Sequence, residues 1–391
     1  MKNNNLHIKN DENGLYVFNY HTGLIYFVVS SEKEKIINWL ENGNSSQIED
    51  VYLNSIGAGW FTSILNSTHT QILPSIEDWE NEFPEFPLTI NWFLTGACPL
   101  DCLYCYAEDL MRNRKITKNS RIEKVKNPTL NEIVKTSKNI LNLEPLVVVI
   151  TGGDPLMSPH LKEAINLLYR KVGILIDTSG YLFNEEIAEF CKEKNVGIRI
   201  SLDSNDWQIN NSQRPLMNKK HQRKRESIEK ELNTIKLCLD KNIPIIIQTV
   251  LTNKNYKSMF SFGDFLFNLG VRIWRIQKVQ EPSRNIIKEG FESLKLEQSE
   301  NFSYPNFKQL LRKHNYKNWD NSMALKFTEN SNNSKNSVIL VSPDGEFYTE
   351  GINDSGKFLI DKENPRKPSK KSILKFINNS GHLVRYLNLE I

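Results

Sequence analysis

From residue 88 onward the chain repeats a pattern that few folds accommodate: a short apolar, β-branched run, a helix-like stretch, then another such run. The runs are "LTINWFL" (88–94), "LVVVIT" (146–151), "GILIDT" (173–178), "GIRISLD" (197–203), "IPIIIQTVL" (243–251) and "VRIWRIQ" (271–277). Strands buried on both faces read this way, without strict apolar–polar alternation. Between them lie "PTLNEIVKTSKNILNL", "HLKEAINLLYRK", "EEIAEFCKEKN" and "KRESIEKELNTIKLCLDKN", with apolar positions at helical spacing. Repeated strand–helix–strand units predict right-handed crossovers and a parallel sheet. The expected fold is α/β, a partial (β/α)6 parallel barrel over residues 86–285.

The flanks have different textures. Residues 1–85 open with "LYVFN" and "LIYFVV", joined through "YHTG", which predicts a hairpin. "SSEKEKIINWLENG" then predicts a helix: Ser31 and Glu34 have capping-box spacing, and Gly43 ends the run. With two further short helices the segment is expected to be a small winged-helix-like domain. Residues 286–391 carry a second hairpin, "NSVILVSPDGEFYTEGI", turning at Pro343-Asp344-Gly345, and a basic stretch leading into a helix. This is the expected C-terminal β-hairpin and helix extension.

Bulk composition narrows the function classes. Fifty Lys and Arg against 46 Asp and Glu leave a net charge of +4, which gives no reason to expect nucleic acid. No apolar run is long enough to span a membrane, and the N-terminus lacks the apolar core of a secretory signal. Five cysteines, an odd number and clustered, suit a reducing cytoplasm better than a disulfide framework.

Three of those cysteines, Cys98, Cys102 and Cys105, fall within "GACPLDCLYCYAED" (96–109). A structural zinc takes four Cys or His ligands, and no fourth lies near in sequence. Three thiolates suit a [4Fe-4S] cluster with one iron left open to a small molecule. Zinc and plain packing remain the rival readings. The triplet follows the first barrel strand, on the side of a parallel sheet where active sites gather. Tyr104 and Tyr106 flank Cys105 and are candidates to cover the cluster.

Cys-x3-Cys-x2-Cys after a first strand, with an aromatic residue before the third cysteine, resembles the radical S-adenosylmethionine (SAM) superfamily. The similarity extends over about 88–280. "TGGDP" (151–155) is similar to that family's Gly-Gly-Glu-Pro motif, which implies that Gly152, Gly153 and Asp154 bind the amino end of SAM, with Asp in place of Glu. "DTSGYL" and "ISLDS" resemble the ends of the third and fourth strands, implying that Ser179, Ser201 and Asp203 face SAM or the substrate. Arg214 in "NSQRP" matches an arginine that pairs with the SAM carboxylate, although the usual preceding His-Asp is absent. Capping and solvated-loop roles remain open for Asp203 and Arg214. Gln248, Thr249 and Arg275 are candidates to line the cavity, or to pack at the core edge.

The resemblance implies a [4Fe-4S] cluster and SAM as cofactors, reductive cleavage of SAM, and hydrogen abstraction from an unactivated C–H bond. An electron donor such as flavodoxin or ferredoxin is then required. The 1–85 segment resembles the precursor-recognition domain of ribosomal peptide-modifying enzymes, where a leader peptide adds as a strand to a sheet edge. The C-terminal hairpin is similar to the start of a SPASM or twitch extension, but no cysteine follows Cys238, so no cysteine-ligated second cluster is expected there. Together these imply an enzyme that cross-links or epimerises a ribosomally made precursor peptide. Epimerisation needs a hydrogen donor, and Cys191 and Cys238 are the spare thiols. Basic runs at 112–126 and 219–225 keep an RNA-modifying enzyme as an alternative, and a non-catalytic peptide-binding chaperone is another.

Overall fold

The computed structural model describes residues 6–10, 14–20, 24–29, 86–107, 110, 112–117, 120–125, 127–216, 227–279, 289–296, 302–320, 322–328, 338–350 and 357–378. The helices expected between residues 30 and 85 lie outside them. The first hairpin forms and gains a third strand: β1 (Leu6–Asn10), β2 (Gly14–Asn19) and β3 (Leu24–Val29) make an antiparallel sheet in that order.

All six expected runs become strands: β4 (Thr89–Thr95), then, after an antiparallel hairpin of β5 (Arg112–Thr117) and β6 (Ser120–Val125), β7 (Val147–Gly152), β8 (Gly173–Thr178), β9 (Gly197–Ser201), β10 (Ile245–Leu251) and β11 (Ile273–Lys278). Two more strands run parallel with them. β12 (Ala324–Thr328) adds beside β11, and β13 (Ile339–Val341) adds on the other side, beside β4. The sheet order is β12-β11-β10-β9-β8-β7-β4-β13, continued antiparallel by β14 (Phe347–Glu350) and β15 (Lys357–Leu359). The barrel is partial, with β12 and β15 as its two edges. The C-terminal hairpin forms as expected, pairing Ile339 with Thr349, but its first strand belongs to the barrel sheet.

The described α-helices are α1 (Leu130–Leu141), α2 (Leu161–Leu168), α3 (Glu185–Glu193), α4 (Trp207–Gln213), α5 (Glu229–Asp240), α6 (Met259–Leu269), α7 (Tyr304–Asn318) and α8 (Lys370–Asn378). Local chemistry sets their ends. Thr129 and Glu132 close a capping box at the start of α1, and α6 stops at Gly270, whose φ of 103° is left-handed. Alternation divides each barrel strand. One set of side chains, including Ile90, Trp92, Val148, Ile150, Ile174, Ile176, Ile198, Ile200, Ile247 and Trp274, forms the main core with the helices. The other set faces the barrel lumen. No described helix is long and apolar enough to cross a membrane.

Candidate active site

The lumen holds a cavity of about 210 Å³. Cys98, Cys102, Cys105, Gly152, Gly153, Ser179, Ser201, Asp203 and Arg214 all line it, although they come from five separate stretches of chain. Gln248 and Arg275 line it too. Thr249 does not: its buried hydroxyl donates to the Leu202 carbonyl at 2.7 Å and accepts from Trp274 Nε1 at 2.8 Å, a core-edge role.

The cysteine loop is pinned from two sides. On one, Gly153 N–H donates to Thr95 O at 2.8 Å and Asp154 N–H to Ala97 O at 2.7 Å. Gly152 has φ 145°, and a Cβ there would stand 2.4 Å from Thr95 O; one on Gly153 would stand 2.1 Å from Ala97 O. The two glycines therefore let β7 close against the start of the cysteine loop, besides leaving backbone bare at the cavity. On the other side, Asp101 N–H donates to Pro215 O at 2.8 Å and Leu103 N–H to Gln213 O at 2.9 Å. These bonds trap Arg214 beneath the loop.

Asp154 is not among the residues that line the cavity; it stands just behind them. Its buried carboxylate accepts from Leu156 N (3.1 Å), Thr178 Oγ1 (2.9 Å), Ser179 N (3.0 Å) and Ser179 Oγ (2.6 Å). It ties the C-terminal ends of β7 and β8 together and aims Ser179. Burial pushes its carboxyl above the ordinary range, and the donors from Ser179, Thr178 and Leu156 pull the other way.

Arg214, Asp203 and Tyr104 form a buried cluster next to Cys102. Tyr104 O–H donates to Asp203 Oδ2, and Val250 N–H donates to Asp203 Oδ1 at 2.9 Å. Burial first and Asp203 second drive the Tyr104 phenol well up, so it stays protonated. Burial also raises Asp203, against the pull of Arg214. Arg214 loses to burial but gains more from Tyr104, Cys102 and Asp203, and its net shift is upward. It is a fixed cation.

Several residues that hold this cluster carry no sequence signal. Asn210 Oδ1 accepts from Asp203 N–H at 3.0 Å, and Asn255 Nδ2 donates to Asp203 O and Val250 O at 3.1 and 2.9 Å. Thr252 Oγ1 donates to Gln213 Oε1 at 2.6 Å. Asn210, Gln213, Thr252 and Asn255 are all buried. A buried Asn or Gln in a loop that reads as ordinary turn is the one hint available, and it is visible only once burial is known.

The donor set can be tested against the cofactors that the sequence implies. None of the three cysteines is in a disulfide, and all three are half-buried. Among the described residues no three His, Cys, Asp or Glu side chains are grouped to hold a single metal ion. Nε and Nη1 of Arg214 are buried and meet no acceptor among the described residues. An unmet buried donor pair costs free energy until an anion arrives. A carboxylate bound beside Cys102 would satisfy it, so the residues fit both groups.

Residues 92–266 match the family model described as the radical SAM superfamily. Among curated proteins, an uncharacterised protein of Methanocaldococcus jannaschii is 33% identical over 193 residues, 46% of this chain and 58% of that protein. The sporulation killing factor maturation protein SkfB of Bacillus subtilis is 24% identical over 221 residues, 54% of this chain and 47% of that protein. The chain thus spans about half the length of these relatives. Among solved structures, Streptococcus suis SuiB bound to S-adenosylmethionine superposes with a TM-score of 0.54 at 13% identity, covering 88% of this chain and 81% of SuiB. SuiB bound to its precursor peptide SuiA gives a TM-score of 0.55 at 12% identity, over 88% and 82% of the two chains. These structures share the fold.

Proposed function

We propose, from the match of residues 92–266 to the radical SAM model, that this chain modifies a ribosomally made precursor peptide, using a [4Fe-4S] cluster and SAM. The observation that carries the chemistry is the buried Arg214 guanidinium, with two unmet nitrogens, beside Cys102. Cys98, Cys102 and Cys105 would hold the cluster and leave one iron free for SAM. When bound and reduced, the cluster supplies the electron that splits SAM and starts hydrogen abstraction from the substrate.

The chain's own residues bind and orient. Arg214 takes the SAM carboxylate as a charge-assisted pair. Bare backbone at Gly152 and Gly153 borders the same volume. Asp154 acts at one remove, by fixing Ser179. Asp203, which accepts the Tyr104 O–H, is the carboxylate that faces the Arg214 charge when the SAM carboxylate is absent. Deeper in the lumen Asp177 and Arg199 form a two-pronged ion pair, which with Gln248 and Arg275 gives the substrate end of the cavity polar walls.

Peptide modification is supported by the N-terminal sheet and by relatives and neighbours named for peptide maturation. The leader is proposed to bind residues 1–85, and a flavodoxin or ferredoxin to supply electrons. β1–β3 meet the barrel strands at their N-terminal ends, and the cysteines follow the C-terminal end of β4. A seven-residue strand such as β4 spans about 23 Å at about 3.3 Å per residue. The modified residue should therefore lie at least about seven extended residues from the leader strand. Cys191 and Cys238 are buried in α3 and α5 and do not line the cavity, so neither is placed to return a hydrogen atom. That favours cross-linking over epimerisation.

Anaerobic reconstitution tests the reading. Wild-type protein should take up about four irons per chain and release 5′-deoxyadenosine on reduction with SAM, and Cys98→Ala should lose both. Wild-type protein that binds the iron but leaves SAM intact would refute it.

A further inference from the structure

We propose that the N-terminal sheet is the floor of the active-site cavity, sealing the end of the barrel opposite the cysteines so that substrate enters only from the cysteine end. Tyr16 and Phe18 of β2, Tyr20 just after it and Ile25 of β3 are buried in one cluster with Leu88, Leu146, Val147, Val149, Leu175, Ile246, Ile273 and Ala324. Val147, Val149, Leu175, Ile246 and Ile273 lie in the first half of β7, β8, β10 and β11 and by alternation face the lumen, while Leu88 and Leu146 immediately precede β4 and β7 and Ala324 opens β12. The sheet is therefore seated in the barrel's N-terminal opening, not merely tethered beside it.

Three details show a fitted seat. A Cβ on Gly173 would stand 2.7 Å from Phe18 Cδ1, so the ring occupies the space that any other residue there would fill. The Tyr20 hydroxyl oxygen accepts from the Ile174 N–H at 3.3 Å, at the start of β8. Lys9 of β1 donates to the Glu144 carbonyl at 2.5 Å and lies 3.9 Å over the Phe86 ring. Only one layer separates the floor from the cavity: Val149 touches the plug cluster and also lines the cavity. The Asp177–Arg199 pair lines the cavity above this layer, with side chains only 21% and 11% exposed. Ions at that depth interact strongly only while water is kept out.

Solvent exclusion is what radical chemistry of the kind proposed above requires, and the functional meaning of the floor rests on that reading. The floor itself can be tested without it. Leu175 is 3% exposed, belongs to the plug cluster and does not line the cavity, so Leu175→Cys is a reporter in the layer that the floor covers. Its alkylation by iodoacetamide is followed by peptide mapping in the full, reconstituted chain. The reporter should be protected when Phe18 is native and react at least about tenfold faster with Phe18→Ala, which leaves a ring-sized void. Phe18→Leu should restore protection, which separates an opened floor from global unfolding. Saturating SAM should not slow the faster reaction, because the reagent arrives from below.

A reporter already reactive in the Phe18 chain, or unaffected by Phe18→Ala, would overturn the proposal. So would labelling that SAM blocks, since the route would then be the cysteine end. SAM binding is measured separately by equilibrium dialysis. If SAM does not bind, the proposed function fails, and the Phe18 comparison still decides the floor.

Discussion

Asp154→Asn is a near-isosteric change that the structure makes costly. Oδ1 accepts Leu156 N–H and Thr178 O–H, while Oδ2 accepts Ser179 N–H and O–H. An asparagine has one carbonyl oxygen and one NH2 group. Whichever way it turns, the NH2 group faces a backbone N–H, either that of Leu156 or that of Ser179. The hydroxyls can rotate; the N–H groups cannot. One buried donor left unmet costs about 1–3 kcal/mol, and weakening the remaining bonds from charged to neutral adds about 1 kcal/mol. A total near 3 kcal/mol corresponds to a fall in Tm of about 5–10 °C for a domain of this size. Scanning calorimetry of cluster-free protein measures it without reference to activity. SAM affinity should fall as well, because Ser179 loses its anchor while the cysteines are untouched. If Asp154→Asn melts within about 1 °C of wild type, the carboxylate is not the tie between β7 and β8, and the hydrogen-bond argument is wrong.

Arg214→Lys keeps the charge but loses the forked donors; SAM should bind about 10- to 100-fold more weakly at unchanged iron content, by equilibrium dialysis. Burial, then Lys9, lowers His7 from 6.5 to about 4. Between those values the unfolded chain holds a proton that the folded sheet refuses, so stability is lost as pH falls through that window. The drop in Tm from about pH 7 to about pH 5 should therefore shrink in His7→Gln, and an unchanged drop would exclude His7 as its source. Cys191→Ser and Cys238→Ser should lower stability by about 1–2 kcal/mol each and leave 5′-deoxyadenosine release intact. Loss of release in a variant that melts normally would restore a chemical role for that thiol.

The strands were legible because each is a continuous β-branched run, the pattern demanded by cover on both faces. The cysteine triplet was legible because its ligands are local: one loop carries all three. Asp154 was found by its motif, but its hydrogen bonds to Thr178 and Ser179 were not legible there. Nothing in "TGGDP" says whether a carboxylate turns to a ligand or to the hydroxyl of a strand 24 residues away. β12 was missed because "ALKFT" is short and broken by lysine, which is tolerated because β12 is an edge strand.

The sequence by itself determined the repeating unit, the parallel sheet and the thiolates at the end of the first strand, since periodicity and near-neighbour spacing act over a few residues. Only the tertiary structure decided that Tyr104 meets Asp203 across 99 residues, that β13 lies beside β4, and that Phe18 fills the space at Gly173. Those contacts arise when distant segments compete for the same buried volume, and local pattern carries no record of which of them occupies it.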